Sequence, residues 1–171
     1  MTVDELLALL ARGEELHDEP EVDALAHALQ CGARLRAQYP EDAELAVAGL
    51  VHDIADITQP GDHRDHSHVG ARLVEPLLGP RVAHLVGAHV AAKRYLVATD
   101  PSYRAHLSAR SIETLAGQGD ALDETEIRRM AAMRDLDAVL ALRRADDAAK
   151  DPDAEPPGLE AWTVLLTQVA R

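Results

Sequence analysis

The sequence has no phenylalanine, one tryptophan and three tyrosines. Aromatic rings cannot fill its interior, so alanine, leucine and valine must do so, and these residues suit closely packed helices. A single cysteine, Cys31, excludes a disulfide framework within the chain and fits a reducing compartment. No run of about 18 apolar residues occurs, so neither a transmembrane helix nor a signal-peptide core is expected. Positive charge is also scarce, with 17 Lys and Arg against 30 Asp and Glu and a formal net charge of -13. A nucleic-acid backbone or an anionic membrane needs a basic footprint, so neither is expected as a partner. Any anionic ligand must meet a local basic site. A cytoplasmic protein, monomer or homodimer, is the expectation.

What is present points to helices. At 171 residues the chain is the size of one domain, 1–171, and its apolar fraction of 47% can build a core. Apolar residues recur with a 3.6 period and show no sustained alternation, so an all-α fold is expected. "VDELLALLAR" places Asp4 and Glu5 at the positive end of a helix dipole and stops at Gly13. A second helix is predicted from near Pro20, with Val22, Leu25, Ala26, Leu29 and Ala33 on one side. A third runs from after "YPED" to His52-Asp53, where Gln59-Pro60-Gly61-Asp62 breaks the pattern. Further helices are predicted at about 66–78, 81–96, 108–117, 123–150 and 158–170. The last follows the proline-rich "DPDAEPPG" and closes the fold with Trp162, Leu165 and Leu166.

The stretch "GLVHDIADITQPGDHRDHSHVGA" gathers four of the nine histidines. A lone His-Asp pair is usually a packed core residue beside a carboxylate. Here the order of other residues adds to it: His27 on the apolar side of the second helix, His66 or His68 opening the fourth, His89 mid-helix, and Asp146 late in the long helix. Four imidazoles and two carboxylates on separate helices can converge inside a bundle, as nitrogen and oxygen ligands for iron, manganese or zinc. A carboxylate beside a ligand histidine can bridge two ions, a common catalytic unit.

With these blocks in order, the chain resembles the HD-domain superfamily from about Asp18 to Lys150. Within it, the chain looks most like the mixed-valence diiron oxygenases that cleave organophosphonates, relatives of myo-inositol oxygenase. The resemblance is carried by "ALAHALQ", "HD", "HSHVGA", "HVAAKRYL", "LSARSIETLAGQG" and "LRRADDAAK". It implies a single helical bundle, core about 18–150, with His27, His52, Asp53, His66, His89 and Asp146 as metal ligands and Asp53 as the bridge. It also implies an Fe(II)/Fe(III) pair as cofactor and O2 as co-substrate. His66 is preferred to His68 because the superfamily places its ligand four residues before a glycine, here Gly70. Asp146 is preferred to Asp147 because it precedes Lys150 by four. His17, His63, His84 and His106 have no place in the pattern, although His63 is near the site in sequence.

Lys93 follows His89 by one helical turn, and Arg143 precedes Asp146 by three residues, so each is near a metal ligand. With Ser111, Thr114 and Gln118 on one face of a later helix, they form a donor-rich cluster of the kind that binds phosphonate or phosphate. The matching positions of the resembling family grip phosphonate oxygens. His52, Asp53 and Lys93 would stand closest to the chemistry. The chain departs from that family in two places: Asp56 replaces a histidine after "HD", and His17, with Glu19 or Glu21, stands where a tyrosine and a glutamate form a lid.

The expected activity is O2-dependent cleavage of the carbon–phosphorus bond of a small, anionic 1-hydroxyphosphonate, giving phosphate and a carboxylic acid. A metal-dependent HD phosphohydrolase acting on a nucleotide or other phosphate ester is the alternative. An inactive HD domain used for sensing would call for an incomplete ligand set.

Overall fold

The computed structural model describes residues 1–17, 20–61 and 65–171. Asp18, Glu19, Asp62, His63 and Arg64 lie outside the described residues, and with them the expectations for Glu19 and His63. Among the described residues every regular element is helical. The α-helices are α1 (Val3–Ala11), α2 (Ala24–Gln38), α3 (Ala43–Val51), α4 (Ile54–Thr58), α5 (His66–Thr99), α6 (Ala109–Gly117), α7 (Glu124–Ala131), α8 (Leu136–Ala148) and α9 (Thr163–Val169). No helix among them is long and apolar enough to cross a membrane.

Side-chain caps fix most of the helix starts. Thr2 and Glu5 form a reciprocal capping box on α1. Asp42 caps α3, Ser108 caps α6, and Asp123 with Glu126 caps α7. On α2 the Asp23 carboxylate accepts from the Ala26 N–H at 2.7 Å, so the helix begins at Ala24, later than the start near Pro20 read from the sequence. The 123–150 helix is in fact two, α7 and α8. Asp135 takes a left-handed conformation, φ 56°, and turns the chain between them. The third helix stops at Val51, and His52 and Asp53 form the turn into the short α4.

Two backbone features bring the site together. In α5, Gly79 sits at φ 84° and ψ 172°, well outside helical geometry. Along a straight helix, His66 and His89 would lie about 35 Å apart. Their Nε2 atoms are 3.0 Å apart, so the segment reverses at Gly79 into two antiparallel arms. The arms match the two helices, 66–78 and 81–96, that Gly79-Pro80 marks in the sequence. The second feature is the crossing of α2 and α3. A Cβ on Gly49 would stand 3.2 Å from the Gly32 Cα, so the two backbones approach where a side chain could not fit. This close crossing sets His27 of α2 beside His52.

One apolar core runs from Leu6 and Leu10 through Leu35, Leu50, Val86 and Leu142 to Trp162 and Leu166. A second, small cluster joins Leu96, Tyr103, Leu107 and Leu115 under α6.

Candidate metal centre

Six side chains converge at the middle of the bundle, in two groups that share Asp53. His27, His52, Asp53 and Asp146 form one, and Asp53, His66 and His89 the other. Asp53 Oδ2 faces His52 Nε2 at 3.1 Å and His27 Nε2 at 3.6 Å. Its Oδ1 faces His89 Nε2 at 3.4 Å and His66 Nε2 at 3.5 Å. Asp146 Oδ1 lies 3.3 Å from His27 Nε2 and 3.7 Å from His52 Nε2. Each oxygen of this one carboxylate thus faces a different group.

The hydrogen bonds behind the rings show what the cluster fits. His27 Nδ1–H donates to the Ala149 carbonyl at 2.9 Å, His52 Nδ1–H to Gly49 at 2.8 Å, and His89 Nδ1–H to Val86 at 2.7 Å. A carbonyl can only accept, so Nδ1 carries the hydrogen and the Nε2 lone pair of each ring points inward. His27 and His52 present these nitrogens to each other at 3.2 Å. Two buried lone pairs at that distance call for a positive centre between the rings. A proton or a metal ion supplies one, and backbone-oriented imidazoles are the usual support of a metal site.

Titration behaviour follows the same logic. Burial opposes the charged form of His27, but the hydrogen bonds to Asp146 and Asp53 prevail and raise its pKa to about 10. His52 is likewise raised well above its ordinary value, against burial, by the charge of Asp53. Asp53 and Asp146 resist burial and stay well below the usual carboxylate range, held by His52 and by Arg143 respectively. His89 goes the other way: burial, the largest cause, lowers its pKa to about 4.

A cavity of about 70 Å³ opens beside the cluster, lined by His27, Asp53, His66, His89 and Asp146 on one side and by Lys93, Ser111, Thr114, Gln118 and Arg143 on the other. Lys93 is buried and donates to Thr114 Oγ1 at 3.0 Å. Burial, then the nearby Arg143 charge, lowers its pKa to about 8. Arg143 is also buried, but its charge is answered by Asp146 at 2.6 Å and by Asp147.

The residues grouped in the sequence are thus the residues the fold brings together. Of the open choices, His66 is buried in the cluster, whereas the His68 side chain is 65% exposed and contacts Asp65. Asp146 reaches the histidines, and Asp147 turns to Tyr103 and Arg143. His17 and Glu21 are exposed, His84 bonds the Arg134 carbonyl, and His106 bonds the Ser102 carbonyl. Asp56 lines the cavity. Lys150 was not singled out for the anion side, yet its Nζ donates to Ser108 Oγ and Ser111 Oγ, both at 3.1 Å. Its place one helical turn beyond Asp146 could have revealed it. Tyr103, which bonds Arg143 and Asp147, carries no such local signal.

The sequence matches the HD domain over residues 7–148. It is 34% identical over 154 residues to a (1-hydroxy-2-(trimethylamino)ethyl)phosphonate dioxygenase, glycine-betaine-forming, of Leisingera caerulea, covering 85% of this chain and 78% of that protein. It is 31% identical over 160 residues to a hydroxymethylphosphonate dioxygenase of Gimesia maris, covering 88% of this chain and 78% of that one. The chain belongs to the HD-domain family, with phosphonate dioxygenases among its relatives there.

Proposed function

We propose that this protein is a diiron oxygenase that uses O2 to cleave the carbon–phosphorus bond of a small 1-hydroxyphosphonate. One observation carries the reading: a two-lobed histidine and carboxylate cluster shares a cavity with a buried ammonium, that of Lys93, which has no carboxylate in salt-bridge contact among the described residues. A 1-hydroxyphosphonate is also what the substrates named for the two relatives have in common.

In this reading the chain works as a single HD domain, the site lying within residues 18–150 and the segment 158–170 closing the bundle. His27, His52, Asp53 and Asp146 would hold one ion and Asp53, His66 and His89 the other, with Asp53 common to both. The nitrogen and oxygen donor set, without sulfur, suits iron. An Fe(II)/Fe(III) pair bound there would supply the O2 activation and electron transfer that the reaction needs.

The chain's own residues do the positioning. Lys93 and Arg143 bring positive charge, and Ser111, Thr114, Gln118 and Lys150 bring hydrogen-bond donors, around one end of the cavity. Charge-assisted bonds to phosphonate oxygens anchor that end of the substrate and turn its hydroxylated carbon toward Asp53 and the histidines. The balance is R–CH(OH)–PO3H2 + O2 → R–COOH + H3PO4, with both oxygen atoms of O2 retained in the products.

The test is phosphate release from a panel of short 1-hydroxyphosphonates by iron-reconstituted protein, with and without O2, with a nucleotide monophosphate as control. Release that requires both iron and O2 is expected. Release from the nucleotide without O2 would replace this reading with a phosphohydrolase.

A further inference from the structure

Arg143 is the most constrained cation in the site. Its Nε–H donates to the Tyr103 hydroxyl at 3.1 Å, its Nη1 to Asp146 Oδ2 at 2.6 Å, and its Nη2 to Asp147 Oδ1. The Tyr103 hydroxyl in turn donates to Asp147 Oδ2. Arg143, Tyr103 and Asp147 thus form a closed ring in which each Asp147 oxygen accepts one hydrogen and the Tyr103 oxygen both accepts and donates. Asp146 divides its carboxylate in the same way, with Oδ2 on Arg143 and Oδ1 toward His27 and His52. A guanidinium has five N–H groups in one plane, and these three contacts fix that plane. One N–H on each terminal nitrogen is left for a ligand in the cavity that Arg143 lines.

Tyr103 and Asp147 reach this arginine from different places. Tyr103 lies in the connection between α5 and α6, packed with Leu96, Leu107 and Leu115, and Asp147 lies on α8 four residues beyond Arg143. A tyrosine used for packing alone has no need of a hydroxyl in a buried bond to a charged group.

We infer that Tyr103 and Asp147 are positioning residues: they hold the Arg143 guanidinium so that its two remaining N–H groups meet the substrate's anionic end while Asp146 keeps one oxygen toward the histidines. The inference rests on the phosphonate reading above and names two residues outside the set that would touch the substrate.

The test is calorimetric titration of methylphosphonate into iron-loaded protein, with iron stoichiometry and thermal midpoint measured alongside. Tyr103→Phe keeps the ring and removes only the hydroxyl; Asp147→Asn keeps the shape and removes the charge. Each is expected to weaken methylphosphonate binding about tenfold, the scale of a lost hydrogen bond to a charged group, with iron stoichiometry unchanged. The decisive comparison is the background Arg143→Lys, in which Tyr103→Phe has nothing left to orient and causes no further loss. Affinity of Tyr103→Phe within twofold of the unaltered protein overturns the inference, as does an equal further loss in the Arg143→Lys background, the mark of a purely structural role. Asp147→Asn carries the same cycle if Tyr103→Phe does not fold. Failure of the unaltered protein to bind methylphosphonate overturns the phosphonate reading itself, and this inference with it.

Discussion

The two ends of the cavity are built differently. The histidine and carboxylate end stands on α2, the α3–α4 turn, both arms of α5, and α8, all tied into the large core through residues such as Leu50, Val86 and Leu142. Backbone carbonyls set three of its four rings. The other end hangs on α6, which buries only Ser111 and Leu115 and joins the small cluster with Tyr103. Its ties also include polar ones, Lys93 to Thr114 and Lys150 to Ser108 and Ser111. The first end fixes geometry through packing. The second is held by the same lysines that would bind the substrate's anion, so its order and its ligand affinity draw on the same donors.

The sharpest way to break the contrast is to remove the residue that joins the two ligand groups. Asp53→Ala is expected to leave each group without its shared oxygen, lower iron below two per chain and reduce O2-dependent phosphate release by more than roughly 100-fold, beyond what a change one shell further out costs. Metal analysis beside the phosphate assay checks this. An unchanged iron content would show that Asp53 is no bridge.

That cluster was legible in the sequence because its residue types are chemically specific and fall in ordered blocks, so His27, His52-Asp53, His66 or His68, His89 and a late aspartate could be grouped before any fold was known; the choice of His66 and of Asp146 came from the resemblance to the HD-domain superfamily. The all-α class was legible from periodicity. Less was visible where local signals compete. Pro20 marks a plausible helix start, but the Asp23 side chain supplies the cap and moves the start to Ala24. The α7–α8 break at 132–135 contains neither glycine nor proline. Asp135 tolerates a left-handed φ, and the sequence does not announce it. The Tyr103–Arg143 bond spans 40 residues and belongs to no periodic pattern.

The polar end breaks separately. Lys93→Met removes a charged donor that bonds Thr114 and no histidine or carboxylate of the cluster, so methylphosphonate affinity is expected to fall about 10- to 100-fold with full iron content. The unliganded variant should melt no lower than the parent, because at neutral pH burial works against the Lys93 ammonium. Loss of iron in this variant would erase the distinction between the two ends.

A smaller effect comes from pH alone. Lys93 has a pKa of about 8 in the folded chain, lower than in an unfolded one, so the folded protein releases this proton first. Between that value and the unfolded pKa the unfolded chain binds more protons, and this lysine's contribution to stability rises with pH. Anion binding moves oppositely: the charge is present below about 8 and lost above it. Methylphosphonate loses its own second proton in the same range, so the readout is the difference between the two proteins: the affinity advantage of the parent over Lys93→Met should shrink as pH rises through 8.

The smallest expected change is Thr114→Val, which keeps the shape of the side chain and removes the hydroxyl. Thr114 Oγ1 accepts from Lys93 and donates to the Ser111 carbonyl at 3.3 Å. If that hydrogen turns from the Ser111 carbonyl to the bound anion, its loss removes one neutral donor, worth about 0.5–1.5 kcal/mol, or roughly three- to tenfold in methylphosphonate affinity. It also takes away the one acceptor that the unliganded Lys93 ammonium holds among the described residues. The charged form of Lys93 then becomes harder to keep buried, and the pH at which affinity breaks should move below that of the parent. Calorimetric titrations across pH separate the two effects: a uniform weakening with an unmoved break would mean that Thr114 serves the anion alone, whereas a shifted break would show that it also sustains the charge on Lys93.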